Sequence, residues 1–294
     1  MRQKIKRTKG ERIIFSIVFV ILAIYVTFIL YHFYLLLQLA TKGSAVEYDQ
    51  AVLTDTLGTW SKNFTLKNFI YAFDAFTDDY GNTFLGMTFN SVWFAIGSQT
   101  IFLFLQSSAT YVVCKYKFKG RMLIYNLILL RMLIPIVGTL PATYRAYDML
   151  GILNSPLILV TATDVLGGSG FLIFYSFYKA ISWEYAESAF IDGANHFDVY
   201  LKIMFPMTLP SISVLFISGF IGHWNEYMNI SLFLPELPTL SYGLYMYEQN
   251  MQYAGGNMPA YFAGVFIAAI PPITLFIIFQ NSIMQKIHMG GLKG

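Results

Sequence analysis

The residues able to do chemistry in this chain are few, and they fall into three groups. Four carboxylates, Glu184, Glu187, Asp192 and Asp198, crowd into residues 179–212 around a glycine at Gly193. Arg131, Asp164 and Glu226 each lie inside long apolar runs, where a charge costs several kcal/mol and marks a functional site by default. Glu226 belongs to His223-Trp224-Asn225-Glu226-Tyr227, which joins planar polar groups to aromatic rings. That combination suits a sugar, whose C–H face stacks on a ring while its hydroxyls need donors and acceptors. It equally suits packing between subunits. Gly167-Gly168-Ser169-Gly170 is the third group, a serine set between glycines that could serve as a nucleophile. Such a nucleophile needs a histidine on a partner helix. Residues 261–283 contain none, His288 lies beyond them and His223 sits on another apolar run, so close helix contact is the better reading.

These groups are carried by apolar elements. Of 294 residues, 56% are hydrophobic and only 12% charged, with a mean hydropathy of +0.55. Soluble domains carry about 25% charged residues, so the bilayer is the solvent that this composition fits. One cysteine, Cys114, excludes an internal disulfide framework and a Cys-based zinc site. Apolar runs of about 20 residues give six expected spans: 13–38, 86–113, 122–143, 156–178, 210–234 and 260–282. The first is too long for the apolar part of a signal peptide and reads as an uncleaved anchor. The expected organisation is a basic segment 1–12, an anchor 13–38, an exterior loop 39–85, a membrane domain 86–282 and a tail 283–294.

Orientation follows from the loops. With the N-terminus inside, 14 of the 19 Lys and Arg fall on the cytoplasmic side and 4 outside. Both termini are therefore expected in the cytoplasm. The basic link 115–121 reads as a positive-inside anchor and not as a nucleic-acid site. At 1.5 Å per residue, Arg131 and Asp164 both fall near the midplane, so they either pair between adjacent spans or line a path.

The cytoplasmic segment 179–212 does not read as a simple connector. Ser182 is placed to cap a helix whose first turn holds Glu184. Ala186, Ala189 and Phe190 share one face, and 191–194 breaks the helix. A second amphipathic stretch, 197–205, leads through Pro206 and Pro210 into the fifth span. A helix resting on lipid headgroups would want basic residues, and this one is acidic. It reads as a helix–turn–helix presented for contact.

Glu187-Ser188-Ala189, then Ile191-Asp192-Gly193-Ala194, Ile203 and Leu209-Pro210 resemble the EAA loop of type I ABC importer permeases. Further matches point to the carbohydrate-uptake, maltose-type branch. They are Thr65-Leu66-Lys67-Asn68-Phe69, Asn90-Ser91, Ile134-Pro135, Leu150-Gly151-Ile152, Trp224-Asn225-Glu226 and the ending Gly290-Gly291-Leu292-Lys293-Gly294. Ser188 departs from the usual Ala, and Ser182 from a common Pro. The resemblance implies an all-α membrane protein of six transmembrane helices. It makes 182–206 a cytoplasmic coupling helix seated in a separate ATPase, with Glu184, Glu187, Ser188, Ala189, Asp192, Gly193 and Ala194 as contact residues. It implies a second homologous permease, an ATPase dimer that binds ATP and Mg, and an extracellular sugar-binding protein, with this chain binding no cofactor. It also gives Gly290, Gly291 and Lys293 a role at the ATPase interface. The chain has no G-x-x-x-x-G-K-[ST] phosphate loop, so hydrolysis falls to a partner. A secondary transporter would need internal repeats, and none is evident between the halves.

Overall fold

The computed structural model describes residues 8–78, 80–134, 138–158, 165–254 and 256–287, which form helices, turns and loops with no strand among them. Among the described residues, three helices are long and apolar enough to cross a membrane: α1 (Lys9–Ala40), α4 (Phe84–Lys115) and the Met258–Gln280 part of the last helix. A fourth is available if two helices bent by 78° at Thr208, His196–Met207 and Ser211–Trp224, make one broken span. Between α1 and α4, the expected exterior loop holds two short helices, α2 (Ala45–Leu53) and α3 (Lys67–Ala75).

The remaining expected spans are interrupted among the described residues. In place of 122–143 stand α5 (Arg121–Leu133) and α6 (Leu140–Met149). Ile134 takes an extended conformation ahead of Pro135, which disfavours the helical region for the residue before it. Gly138 has φ +78°, and Pro141 fits the first turn of α6. The 13 residues of α5 rise only about 20 Å, short of a core about 30 Å thick. Within 156–178 the described helix is α7 (Gly168–Ala180), starting at a glycine with φ +73°. Then follow α8 (Glu184–Ile191), α9 (His196–Met207, with a π turn at Tyr200–Met204) and α10 (Leu209–Trp224). The expected fifth span breaks at Asn225, and α11 (Met228–Phe233), α12 (Leu240–Ala254) and α13 (Met258–Ile287) are the last described helices. Counting apolar residues passes over these prolines and glycines, which is why six unbroken spans were expected.

The chain divides into two units, 1–75 with 247–267, and 76–246 with 268–294. In the first, α1 starts at a capping box in which Thr8 and Glu11 satisfy each other's backbone donors. Its apolar residues from Ile13 to Leu30 are exposed all round, as a lipid-facing helix requires. Its C-terminal carbonyls are taken up by Asn68, which donates to Ala40 at 2.8 Å and Lys42 at 2.7 Å.

In the second unit α4 is the centre, packed mainly on α10 and α7. Lipid offers little hydrophobic drive between helices, so close packing and polar contacts hold them. Gln99 donates to the Leu215 carbonyl at 2.9 Å, and Gly219 leaves the space its side chain fills. Gln106 donates to the Gly167 carbonyl at 2.8 Å, with Gly170 giving way to it in the same manner. Ser107 and Tyr178 hydroxyls meet at 2.6 Å. Gly170 thus has a packing role. Ser169 is exposed at the start of α7. Of the described histidines, His32 bonds the Phe28 carbonyl, His196 bonds Tyr116 and His223 meets the Phe94 ring.

Candidate functional site

The acidic segment folds as a short, anchored helix–turn–helix. Helix α8 begins at Glu184, one residue later than a Ser182 cap would place it, yet Ser182 Oγ accepts from Glu184 N at 3.3 Å. Glu184 and Glu187 occupy the first turn, where the helix dipole favours them. Ala186 and Ala189 are buried beside Tyr111, Tyr178, Val199 and Met204, so the expected inward face is the one observed. Helix α8 ends at a Schellman motif: Ala194 N donates to Ala189 O at 2.9 Å and Gly193 N to Phe190 O at 3.1 Å. This requires a left-handed residue, and Gly193 sits at φ +86° with open space around it. Asn195 restarts the chain by capping α9 through Asp198 N at 2.9 Å.

Side chains at the C-terminal end of α4, Lys115 and its cap residue Tyr116, brace this segment. Lys115 Nζ donates to the Ile181 carbonyl at 2.5 Å. The Tyr116 hydroxyl meets His196 Nδ1 at 2.8 Å, and the His196 ring lies 4.8 Å from Phe190. Asp198 pairs with Lys202 at 2.6 Å on the surface, worth under about 1 kcal/mol. What faces outward is mixed. Glu184, Glu187, Ser188, Asp192 and Gly193 are exposed, together with Ile191 at 87% and Phe197 at 64%. Ala189 is buried and Ala194 half-buried, so these two hold the turn. Ile191 and Phe197 were missed by sequence reasoning. Ile191 is the apolar residue out of register with 186, 189 and 190, and that was the available signal.

The Trp224-Asn225-Glu226 cluster separates into different roles. Trp224 is 2% exposed, donates Nε1 to the Ala268 carbonyl at 3.1 Å and stacks on Phe220 at 5.6 Å. It is a packing residue. Asn225 is the exposed C-cap of α10. Glu226 is half-buried, and its Oε1 accepts from Asn229 N at 3.0 Å. It also lines a cavity of about 250 Å³ with His223, Asn229, Thr143, Tyr147 and Phe94. That is below the ~300–1,000 Å³ of sites for larger ligands, so it has room for one small ring among polar and aromatic groups.

Arg131 is exposed in the last turn of α5. Asp164 lies outside the described residues, and with it the expected Arg131–Asp164 pair; so do Gly290, Gly291 and Lys293 of the tail.

No protein-family model matches the chain. A galactooligosaccharides transport system permease protein of Bacillus subtilis is 28% identical over 229 residues, covering 74% of this chain and 80% of that protein. A crystallised bacterial ABC transporter involved in the import of the acidic polysaccharide alginate has a chain with the same fold. Its TM-score is 0.74, over 95% of this chain and 99% of that one, at 17% identity. A probable ABC transporter permease protein of Bacillus subtilis is 31% identical over 210 residues, which span 70% of this chain and 68% of that one. An all-helical chain with membrane-length apolar helices, matched to this extent, belongs to the permease proteins of ABC transporters.

Proposed function

We propose that this chain is a permease subunit of an ATP-driven importer that moves a sugar or oligosaccharide across the bacterial cytoplasmic membrane. It works through a separate ATPase that docks on the 182–206 loop. The observation that carries this reading is the form of α8: a short helix capped at both ends, braced from α4, with an exposed acidic and apolar face. A surface connector needs none of that bracing. In this reading ATP binding draws the two coupling helices of a permease pair together and opens the path outward, and hydrolysis resets it. The sequence carries no G-x-x-x-x-G-K-[ST] phosphate loop, which supports hydrolysis by a partner. The excess of Lys and Arg in alternate loops supports cytoplasmic termini. A galactooligosaccharide permease among the relatives supports a sugar substrate, delivered by an extracellular binding protein, and the Glu226 cavity is the candidate contact on this subunit.

The test is co-purification. A tag on this chain, expressed with its neighbouring genes, brings down an ATPase; Gly193→Pro and Glu187→Lys lose it or uncouple its activity from uptake. If no ATPase associates and both variants behave as wild type, the reading fails.

A further inference from the structure

Past the end of α1 the chain closes over a polar pocket of about 420 Å³ lined by residues 42–63. Lys42 lies at its base, 1% exposed. The Lys42 ammonium has three donors, and its one acceptor among the described residues is the Thr59 carbonyl at 3.4 Å. Gln38 Nε2 already donates to that same carbonyl. The end of α1 offers little more: Asn68 takes the Ala40 and Lys42 carbonyls, and Thr65 N takes the Thr41 carbonyl at 3.0 Å. A buried charge is costly unless paired, and a pocket open to water can admit the partner.

The walls fit a sugar ring. The Trp60 ring is 50% exposed and is held edge-on by Tyr34 at 5.6 Å. Gln50 and Asn63 add neutral donors and acceptors. Lys62 brings a second positive charge, and Glu47 the single carboxylate of the lining. Glu47 Oε2 is partly engaged, accepting from Gly43 N at 3.2 Å. The pocket is also tightly built. A Cβ on Gly43 would lie 2.6 Å from Asn63 Cβ and 2.9 Å from Glu47 Oε2, so only glycine lets these segments close.

We infer that this pocket binds an acidic pyranose, its carboxylate on Lys42, its ring against Trp60 and its hydroxyls on Gln50 and Asn63. The inference is independent of the transport reading, because its residues, 42–63, neither belong to the 182–206 loop nor line the Glu226 cavity.

The experiment uses the full chain in lipid nanodiscs, titrated with glucuronate and with glucose while tryptophan fluorescence is followed. Glucuronate gives a saturable change that Trp60→Phe removes, and glucose binds at least about tenfold more weakly. Lys42→Met weakens glucuronate about tenfold to a hundredfold, the range of a charged hydrogen bond. Because Lys42→Met alters a buried residue, Glu47→Gln is the second variant: it removes the opposing charge from the wall and tightens glucuronate. No saturable signal, equal affinity for the two sugars, a wild-type response in Lys42→Met, or an affinity not increased by Glu47→Gln overturns the assignment. Uptake is not part of the readout, so an importer that fails to couple leaves this result intact.

Discussion

Replacing Gly193 by alanine isolates one property of the turn proposed to meet the ATPase. The position has φ +86° and no atom within 4 Å of where a Cβ would stand, so the substitution creates no clash. What remains is the backbone cost of holding an L-residue left-handed, about 1–2 kcal/mol. That is a factor of roughly 5–30 in the ratio of capped to frayed turn. Helix α8 has only eight residues and buries only Ala186 and Ala189, so it has little packing with which to absorb such a loss. Hydrogen exchange at the Gly193 and Ala194 amides, the two donors of the Schellman motif, should therefore quicken by about that factor in Gly193→Ala. Asparagine tolerates the left-handed region better, so Gly193→Asn should fall between alanine and wild type. In proteoliposomes with the partner ATPase, ATP hydrolysed per sugar imported should rise in the same order. Unchanged exchange at Ala194 in Gly193→Ala, or asparagine worse than alanine, would refute the reasoning.

Trp224→Phe keeps the stacking on Phe220 but removes the hydrogen bond to Ala268; a loss of about 0.6–1.7 kcal/mol should appear as a modest fall in the detergent-solubilised Tm, with uptake specificity unchanged. Glu226→Gln can still accept from Asn229 N, so thermal stability should hold while sugar uptake falls; full uptake would reduce Glu226 to a cap. If Arg131 and Asp164 pair, Asp164→Ala alone should depress uptake and stability more than the double replacement with Arg131→Ala, and equal damage would reject the pair.

The three long apolar helices were legible because length and composition alone define them. The turn at Gly193 was legible because its conformation demands a particular residue. The breaks after Ile134 and at Asn225 were not, since short helices joined within an apolar run keep the same hydropathy. Trp224 shows a different limit. A tryptophan beside polar neighbours has one sequence signature whether it stacks on a sugar or fills a core, and only its contacts separate the two. The His196–Tyr116 brace joins residues 80 apart, beyond any local pattern. Lys42 counted only as one exterior charge, because its burial depends on Asn68 and on the loop that carries Thr59.

The polar seam of α4 bears on how the protein is made. Gln106 and Gln99 find their acceptors at Gly167 and Leu215, residues 61 and 116 positions further along the chain. At about 5–20 residues per second, the ribosome needs roughly 3–25 s to deliver them. During that interval α4 carries two unanswered amides and is the least apolar of the three long helices. The polar seam of this half of the molecule therefore cannot close until synthesis has passed Leu215.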